Sequence, residues 1–358
     1  MKTNLYILYG GKSVEHEVSL KTAFTVIRSI DESKFEVFPI YITRDGRWCT
    51  PGKLDPKELE MQQLIAETSS PSIAHSIGEM LIHPFSLPGT KVVMPLLHGS
   101  YGEDGTVQGL LELLDLPYVG NGVLSSALTL DKAMSKQLLA QSGIQQVQYL
   151  VYGQDQWAAD REVMLDTIEE QLGFPCYVKP ASLGSSIGIS RCTDRNQLIV
   201  GLIEAFQYDT KLVIEQELRG REIQVAVMGN NAPLASSPGE FIHENLFFDF
   251  EAKYFDKKLT MSIPAQLLEG ITEQIRALAL QAYRVHDCSG LARVDFFLDG
   301  DNQLYLNEIN ALPGFTNFSM YPVMWERTNG TAYSELVEKL IDYAFTRHAE
   351  KRSIRYTR

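Results

Sequence analysis

Apolar positions recur along this chain with two different periods, and the alternation between them predicts an α/β protein. Residues 4–9 form a short apolar run that stops at Gly10-Gly11, and over 15–30 Val18, Leu20, Ala23, Val26 and Ile27 return at helical spacing. A second apolar run covers 35–42. Strand, glycine turn, helix and strand in that order open a doubly wound parallel sheet. The 91–97 run predicts another strand, followed by a helix over 107–114 and a strand-like stretch at 117–120, so the first domain is expected to span 1–122. Between 50 and 90, Pro51, Pro56, Pro71, Pro84 and Pro88 interrupt a polar mixture. That segment is read as an excursion with one helix near 57–67.

Beyond 123, strands are predicted at 176–179, 212–217 and 222–228, and helices at 265–285 and 332–348. Two strands flank the turn Asp299-Gly300-Asp301-Asn302 and make a hairpin that starts at Arg293. The expected boundaries are 1–122, 123–214 and 215–358. No internal repeat or low-complexity tract is visible.

A length of 358 residues exceeds one ordinary core and agrees with two or three domains. The hydrophobic fraction of 44% is that of a folded protein. A formal charge of -13 argues against nonspecific binding to nucleic acid or anionic membrane, which needs clustered lysine and arginine. Cys49, Cys176, Cys192 and Cys288 show no metal-ligand spacing and read as buried thiols in a reducing compartment. The first apolar run is too short for a signal peptide, and no run approaches the roughly 20 residues of a membrane helix. A cytoplasmic protein is expected, with no nucleic-acid or membrane partner.

The chemistry concentrates in the hairpin. Side chains alternate across a strand, so Arg293 and Asp295 share a face, as do Glu308 and Asn310 on the return strand. Carboxylate and amide oxygens suit Mg²⁺, which also draws ligands from phosphates and water. An adjacent arginine suits an anion that gains charge during reaction. A polar, solvated ribbon fits the same four residues, but the apolar Val294, Phe296, Phe297, Leu304, Leu306 and Ile309 would bury it, and buried polar groups need partners.

Other segments are weaker alone. The loop 180–188 is rich in glycine and serine and follows a strand ending in Lys179, which suits an anion. The P-loop pattern is absent, and a plain flexible loop reads the same in isolation. At Glu215, Leu218 and Glu222 a carboxylate could hold a ribose hydroxyl; so could a surface turn contain them. Glu15, at a helix start beyond a strand, either compensates the helix dipole or grips an ammonium. His98 ends an apolar strand and is equally open to a structural role. The 244–254 segment mixes aromatics and charges without periodicity and reads as a closing loop over about 241–262.

Taken together these segments resemble the ATP-grasp superfamily and, within it, the D-alanine-D-alanine ligase family, over about 4–345. The resemblance rests on motifs in the family's order: Gly10-Gly11 to Ser19, His98-Gly99 with Gly102 to Gly105, Asp131-Lys132, Lys179 to Gly188, Glu215 to Glu222, Glu251 to Tyr254, and Arg293 to Thr316. It implies an α/β, three-domain ATP-grasp fold: an N-terminal Rossmann-like substrate domain, then a lid domain and a catalytic domain, both α+β, sandwiching ATP. It implies an ATP-dependent ligase joining two D-alanine molecules through a D-alanyl phosphate, with two Mg²⁺ (or Mn²⁺), usually as a homodimer.

By the same resemblance Lys132, Lys179, Ser186 and Lys253 would meet the ATP phosphates, and Glu215, Leu218 and Glu222 the adenosine. Asp295, Glu308 and Asn310 would bind the metals, and Arg293 with the Gly314 amide would stabilise the tetrahedral oxyanion. Glu15 would hold the first substrate's ammonium, His98 would lie beside that substrate's carboxylate, and Ser319 with the Met320 amide would hold the second substrate's carboxylate. Glu15, Ser185 and Tyr254 would form a hydrogen-bonded latch, and Tyr254 favours a dipeptide over a depsipeptide product. Phe248, Phe250 and Ala311 depart from residues common in the family. The full set Arg293, Asp295, Glu308 and Asn310 sets the chain apart from a regulatory module that has lost its chemistry.

Overall fold

The computed structural model describes residues 2–52, 54–242 and 260–355. Lys253, Tyr254, Phe248 and Phe250, with most of the expected closing loop, lie outside the described residues. Among the described residues the strands form three sheets.

The first sheet has the order β3-β2-β1-β4, with β1 Thr3–Gly10, β2 Phe35–Ile42, β3 Trp48–Cys49 and β4 Lys91–Pro95. Strand β1 pairs with both β2 and β4 in parallel, as the strand-turn-helix pattern predicts, while β3 adds an antiparallel edge. The carboxyl ends of β1 and β4 therefore lie side by side and deliver Glu15 and His98 to the same end of the sheet. The 117–120 stretch makes only a single bridge, Val93 to Tyr118. The excursion differs from expectation: the helix expected at 57–67 is a single 3₁₀ turn, Met61–Leu64, and the true helix is Ile73–Ile82. Ser72 caps that helix by accepting from the His75 amide at 3.1 Å, a signal the prolines obscured.

The second sheet, β5-β8-β6-β7, joins β5 Tyr149–Gly153, β6 Cys176–Pro180, β7 Ser190–Cys192 and β8 Lys211–Gln216. Strands β6 and β7 pair antiparallel and carry the small-residue loop at their tip. The expected boundary between 214 and 215 falls inside β8, whose alternation continues to Gln216; the chain changes sheets between Gln216 and Gly220.

The third sheet runs β12-β11-β9-β13-β14, with β10 paired to β9. Its strands are β9 Gly220–Gly229, β10 Leu234–Ala235, β11 Gly239–Ile242, β12 Thr260–Ser262, β13 Gly290–Asp299 and β14 Leu304–Asn310. Helix Ile271–Val285 is shorter than expected at its start. Helix Met320–Asn329 had no counterpart in the apolar pattern because Pro322 masks it, yet Pro is tolerated in a first turn and Met320, Tyr321, Met324 and Trp325 form its buried face.

The first and third sheets share one core: Leu5, Ile7 and Tyr9 pack in the same cluster as Ala226, Met228, Trp325 and Leu336. The second sheet keeps its own core around Leu165, Val178, Leu198 and Ile214. Helix Lys132–Gln141 packs between the second and third sheets: its Ala133 is buried with Ala181 and Val213, and its Leu139 with Ile223 and Phe296. Residues carried by all three sheets and their connecting loops line one cavity.

Candidate active site

Register brings the hairpin residues together as alternation requires. Arg293 pairs with Asn310 and Asp295 with Glu308 across β13 and β14, so all four project from one face. The register then shifts, and Phe296 pairs with Leu306. Asn307 is the extra residue of a β-bulge. The bulge resolves a conflict of parity, because Leu304 and Leu306 are buried in the core while Glu308 and Asn310 face the cavity. Asn307 also lines the cavity as a result.

Arg293 grips Asp295 with a two-point fork, Nε to Oδ1 at 2.8 Å and Nη2 to Oδ2 at 2.7 Å. Asn310 Nδ2 adds a bond to Asp295 Oδ2 at 3.1 Å. The guanidinium is thereby aimed across the strand face rather than into solvent.

Opposite the hairpin stand the lysines. Lys132 Nζ donates to the Leu183 carbonyl of the β6–β7 loop at 2.7 Å and lies 3.8 Å from Glu308 Oε2. Glu215, buried, receives Lys179 at 2.5 Å and Lys136 at 2.8 Å, one on each oxygen. Burial opposes a charge on Glu215, but the two ammoniums overrule it and hold the carboxyl at about 2. Burial likewise opposes the charge on Lys179, and Glu215, then Glu308 and Glu222, raise its pKa above the ordinary value. Lys136 is a lysine on a helix by its sequence, and only the fold shows that it is buried.

Glu15 accepts a short hydrogen bond from Ser185 Oγ, which ties the β6–β7 loop to the end of the first sheet. Ser185 and Ser186 both adopt positive φ, 55° and 58°, where non-glycine residues are uncommon. Gly99 is required beside Glu15: its φ is 75°, and a Cβ there would lie 2.7 Å from both Glu15 Oε2 and Ser13 Oγ. Gly99→Ala is expected to cost about 1–3 kcal/mol and to lower the melting temperature by roughly 5 °C, read by thermal unfolding.

His98 is buried, bonded through Nε2 to Thr22 Oγ1 at 3.1 Å, and burial lowers its pKa to about 4 despite a bond with the Leu312 backbone. It is neutral at ordinary pH. Glu103 is a residue for which the sequence suggested no role. Burial first, and the nearby Glu15 second, push its carboxyl well up, against the Gly99 and Leu312 amides that donate to it. Two carboxyl groups share this end of the cavity; Glu103, with its raised pKa, holds its proton the more readily, which leaves Glu15 as the carboxylate suited to a cationic group. Glu103 lies in a turn, and nothing in its neighbours announces that the turn folds inward.

The cavity enclosed by these elements has a volume of about 820 Å³. Every assigned residue among the described ones lines it except Ser319 and Met320. Ser319 sits directly behind Gly314, where a Cβ would come within 3.3 Å of its Oγ, and it precedes helix Met320–Asn329. Its hydroxyl is held by the Thr316 amide at 3.0 Å and by Thr316 Oγ1 at 2.8 Å.

The donor set fits a hard divalent cation. Asp295, Glu308 and Asn310 offer only oxygens from one strand face. No cluster of three or more His, Cys, Asp or Glu side chains suited to a metal occurs among the described residues. A metal at the hairpin would therefore complete its shell from phosphate oxygens and water, the usual mode for Mg²⁺.

Known proteins match along the whole chain. A family model described as the D-ala D-ala ligase N-terminus matches residues 4–121, and one described as the D-ala D-ala ligase C-terminus matches 138–342. The chain is 47% identical over 365 aligned residues to a D-alanine–D-alanine ligase from Geobacillus thermodenitrificans, covering 100% of this chain and 99% of that one. It is 44% identical to the corresponding ligase from Bacillus cytotoxicus, with 99% of each covered. Among solved structures, a D-alanine-D-alanine ligase from Coxiella burnetii gives a TM-score of 0.79 at 33% identity, over 98% of this chain and 96% of that one. A D-Ala:D-Ser ligase from Enterococcus faecalis gives a TM-score of 0.79 at 30% identity, over 96% of this chain and 100% of that one.

Proposed function

The chain belongs to the D-alanine–D-alanine ligase family, and from that premise we propose that it joins two D-alanine molecules to D-alanyl-D-alanine for peptidoglycan precursor synthesis, converting ATP to ADP and phosphate. The observation that carries the reading is one cavity with cations on one wall, an arginine-flanked acidic hairpin on the other, and the Glu15 and Glu103 carboxyl groups at its end.

The roles follow from charge. Lys132, Lys179 and the loop amides around Ser186 receive the phosphates, with Lys253 joining them. Leu218 and Glu222 line the adenosine; Glu215, lining the same region, reaches the nucleotide chiefly through Lys179, because two lysines occupy its oxygens. Glu15 binds the ammonium of the first D-alanine, and His98 lies beside that substrate's carboxylate, which points along the cavity toward the phosphates. A carboxylate oxygen attacks the γ-phosphorus and ADP leaves, giving a D-alanyl phosphate. The amine of the second D-alanine, held through Ser319 and the Met320 amide, attacks the acyl carbon. Arg293 and the Gly314 amide stabilise the tetrahedral oxyanion, which collapses with loss of phosphate.

Asp295, Glu308 and Asn310 would hold the two Mg²⁺ (or Mn²⁺), whose charge when bound offsets that of the phosphates. Glu15, Ser185 and Tyr254 are assigned to the latch, with Tyr254 favouring an amine over a hydroxy acid as second substrate. Domains for the first substrate, the lid and catalysis are assigned to 1–122, 123 to about 217, and the remainder.

D-alanine labelled with ¹⁸O in its carboxylate tests the intermediate. The attack transfers one carboxylate oxygen to phosphorus, so each released phosphate is expected to carry one label by mass spectrometry. Unlabelled phosphate accompanying dipeptide contradicts an acyl phosphate.

We also propose a cytoplasmic homodimer. The four buried free thiols support a reducing compartment, and no helix among the described residues is long and apolar enough to cross a membrane. The exposed Tyr101, Leu113 and Leu124 on the first domain and the segment after it support a self-contact.

A further inference from the structure

Lys136 lies one helical turn after Lys132, on the same helix. Lys132 reaches the cavity; Lys136 does not line it, and its side chain is only 2% exposed. Its ammonium contacts Glu215 Oε1 at 2.8 Å and lies 5.2 Å from the centroid of the Tyr149 ring on β5. The other oxygen of Glu215 holds Lys179 at 2.5 Å. Glu215 stands on β8, between Tyr149 on β5 and Tyr177 on β6, so both strands confine its carboxylate.

We infer that Lys136 is a positioning residue for nucleotide binding, acting through Glu215 to keep the Lys179 ammonium fixed and its charge available to the cavity. Net charge decides what Lys179 offers a phosphate. Burial lowers the pKa of Lys136 and Glu215 opposes that; while Lys136 keeps its proton, two ammoniums share one carboxylate and the cluster carries a net single positive charge, presented by Lys179. Without Lys136, Glu215 and Lys179 would close into a neutral pair, with Glu308 and Glu222 adding negative potential at Lys179. A polyanion would then meet little net attraction there. A residue needed for packing alone would be apolar, since burying an ammonium is costly even when it is paired. Retaining a cation at this buried site makes sense when its charge is used.

This inference rests on the reading that the cavity binds ATP phosphates, and steady-state kinetics of the purified full chain separate the two. Activity of the unaltered protein with ATP, Mg²⁺ and D-alanine tests the reading. Lys136→Met tests the inference: KM for ATP is expected to rise about tenfold, the scale of one partly screened charge a few ångströms behind the site, with kcat at saturating ATP and KM for D-alanine within about twofold. An unchanged KM for ATP in an active, folded Lys136→Met protein overturns the inference and leaves the reading intact.

Lys136→Arg supplies the readout that a structural role would not produce, because it keeps the cation while changing the shape of the side chain, and KM for ATP is expected to stay within about threefold of the unaltered protein. A Lys136→Arg protein as impaired as Lys136→Met overturns the inference. If Lys136→Met fails to fold, Lys136→Gln, which leaves Glu215 a hydrogen-bond donor without the charge, decides on the criterion stated for Lys136→Met.

Discussion

Replacing Arg293 with alanine is expected to lower kcat by about 10²- to 10³-fold, the range for loss of one donor aimed at a developing oxyanion. The expected loss falls on the chemical step because the backbone of 293 sits mid-strand, paired to Ala226 on one side and Asn310 on the other, and those pairings do not depend on its side chain. Asp295 would lose its two-point partner but keep Asn310. The fold should therefore survive, with a melting temperature within a few degrees. Arg293→Lys is expected to recover little, since a lysine offers a point charge in place of a planar fork. Near-normal kcat in Arg293→Ala would refute the assigned role.

The second large effect is expected at the metal floor. Glu308→Gln should lower turnover at fixed Mg²⁺ by about 100-fold or more, at or above the top of the 10–100-fold range typical of residues that merely support metal ligands. It should also raise the Mg²⁺ concentration needed for half-maximal rate, so that added Mg²⁺ recovers part of the loss. The same substitution removes the carboxylate 3.8 Å from Lys132, but that partly exposed pair contributes little to stability. A Mg²⁺ titration separates the possibilities: an unchanged midpoint would show that Glu308 is no ligand.

Much of this site was legible before any coordinates. The alternation of Arg293 and Asp295 against Val294 and Phe296 placed the polar face, and the paired register agrees with it. The parity break between Leu306 and Glu308 was also present in the sequence, and it marks the bulge that exposes Asn307. Strand ends were legible in the same way, because a glycine turn after β1 and a histidine after β4 put both at one end of a parallel sheet. What could not be read was tertiary. Lys136 and Glu103 look like surface residues in a helix and a turn, and only packing shows one behind Glu215 and the other beside Glu15. The 50–90 segment defeated periodicity because its helix is short and its prolines dominate the pattern. The boundary expected at 214 falls inside a strand because β8 ends the second sheet and β9 begins the third only a few residues later, with no composition change between them.

The proposed function requires that this cavity couple ATP to the joining of two D-alanine molecules. Incubating the protein with ATP, Mg²⁺ and D-alanine, and quantifying ADP, phosphate and D-alanyl-D-alanine together, tests it most directly. Equal amounts of all three, with no phosphate release when D-alanine is omitted, are the expected result. Absence of turnover, or phosphate released without dipeptide, would contradict it.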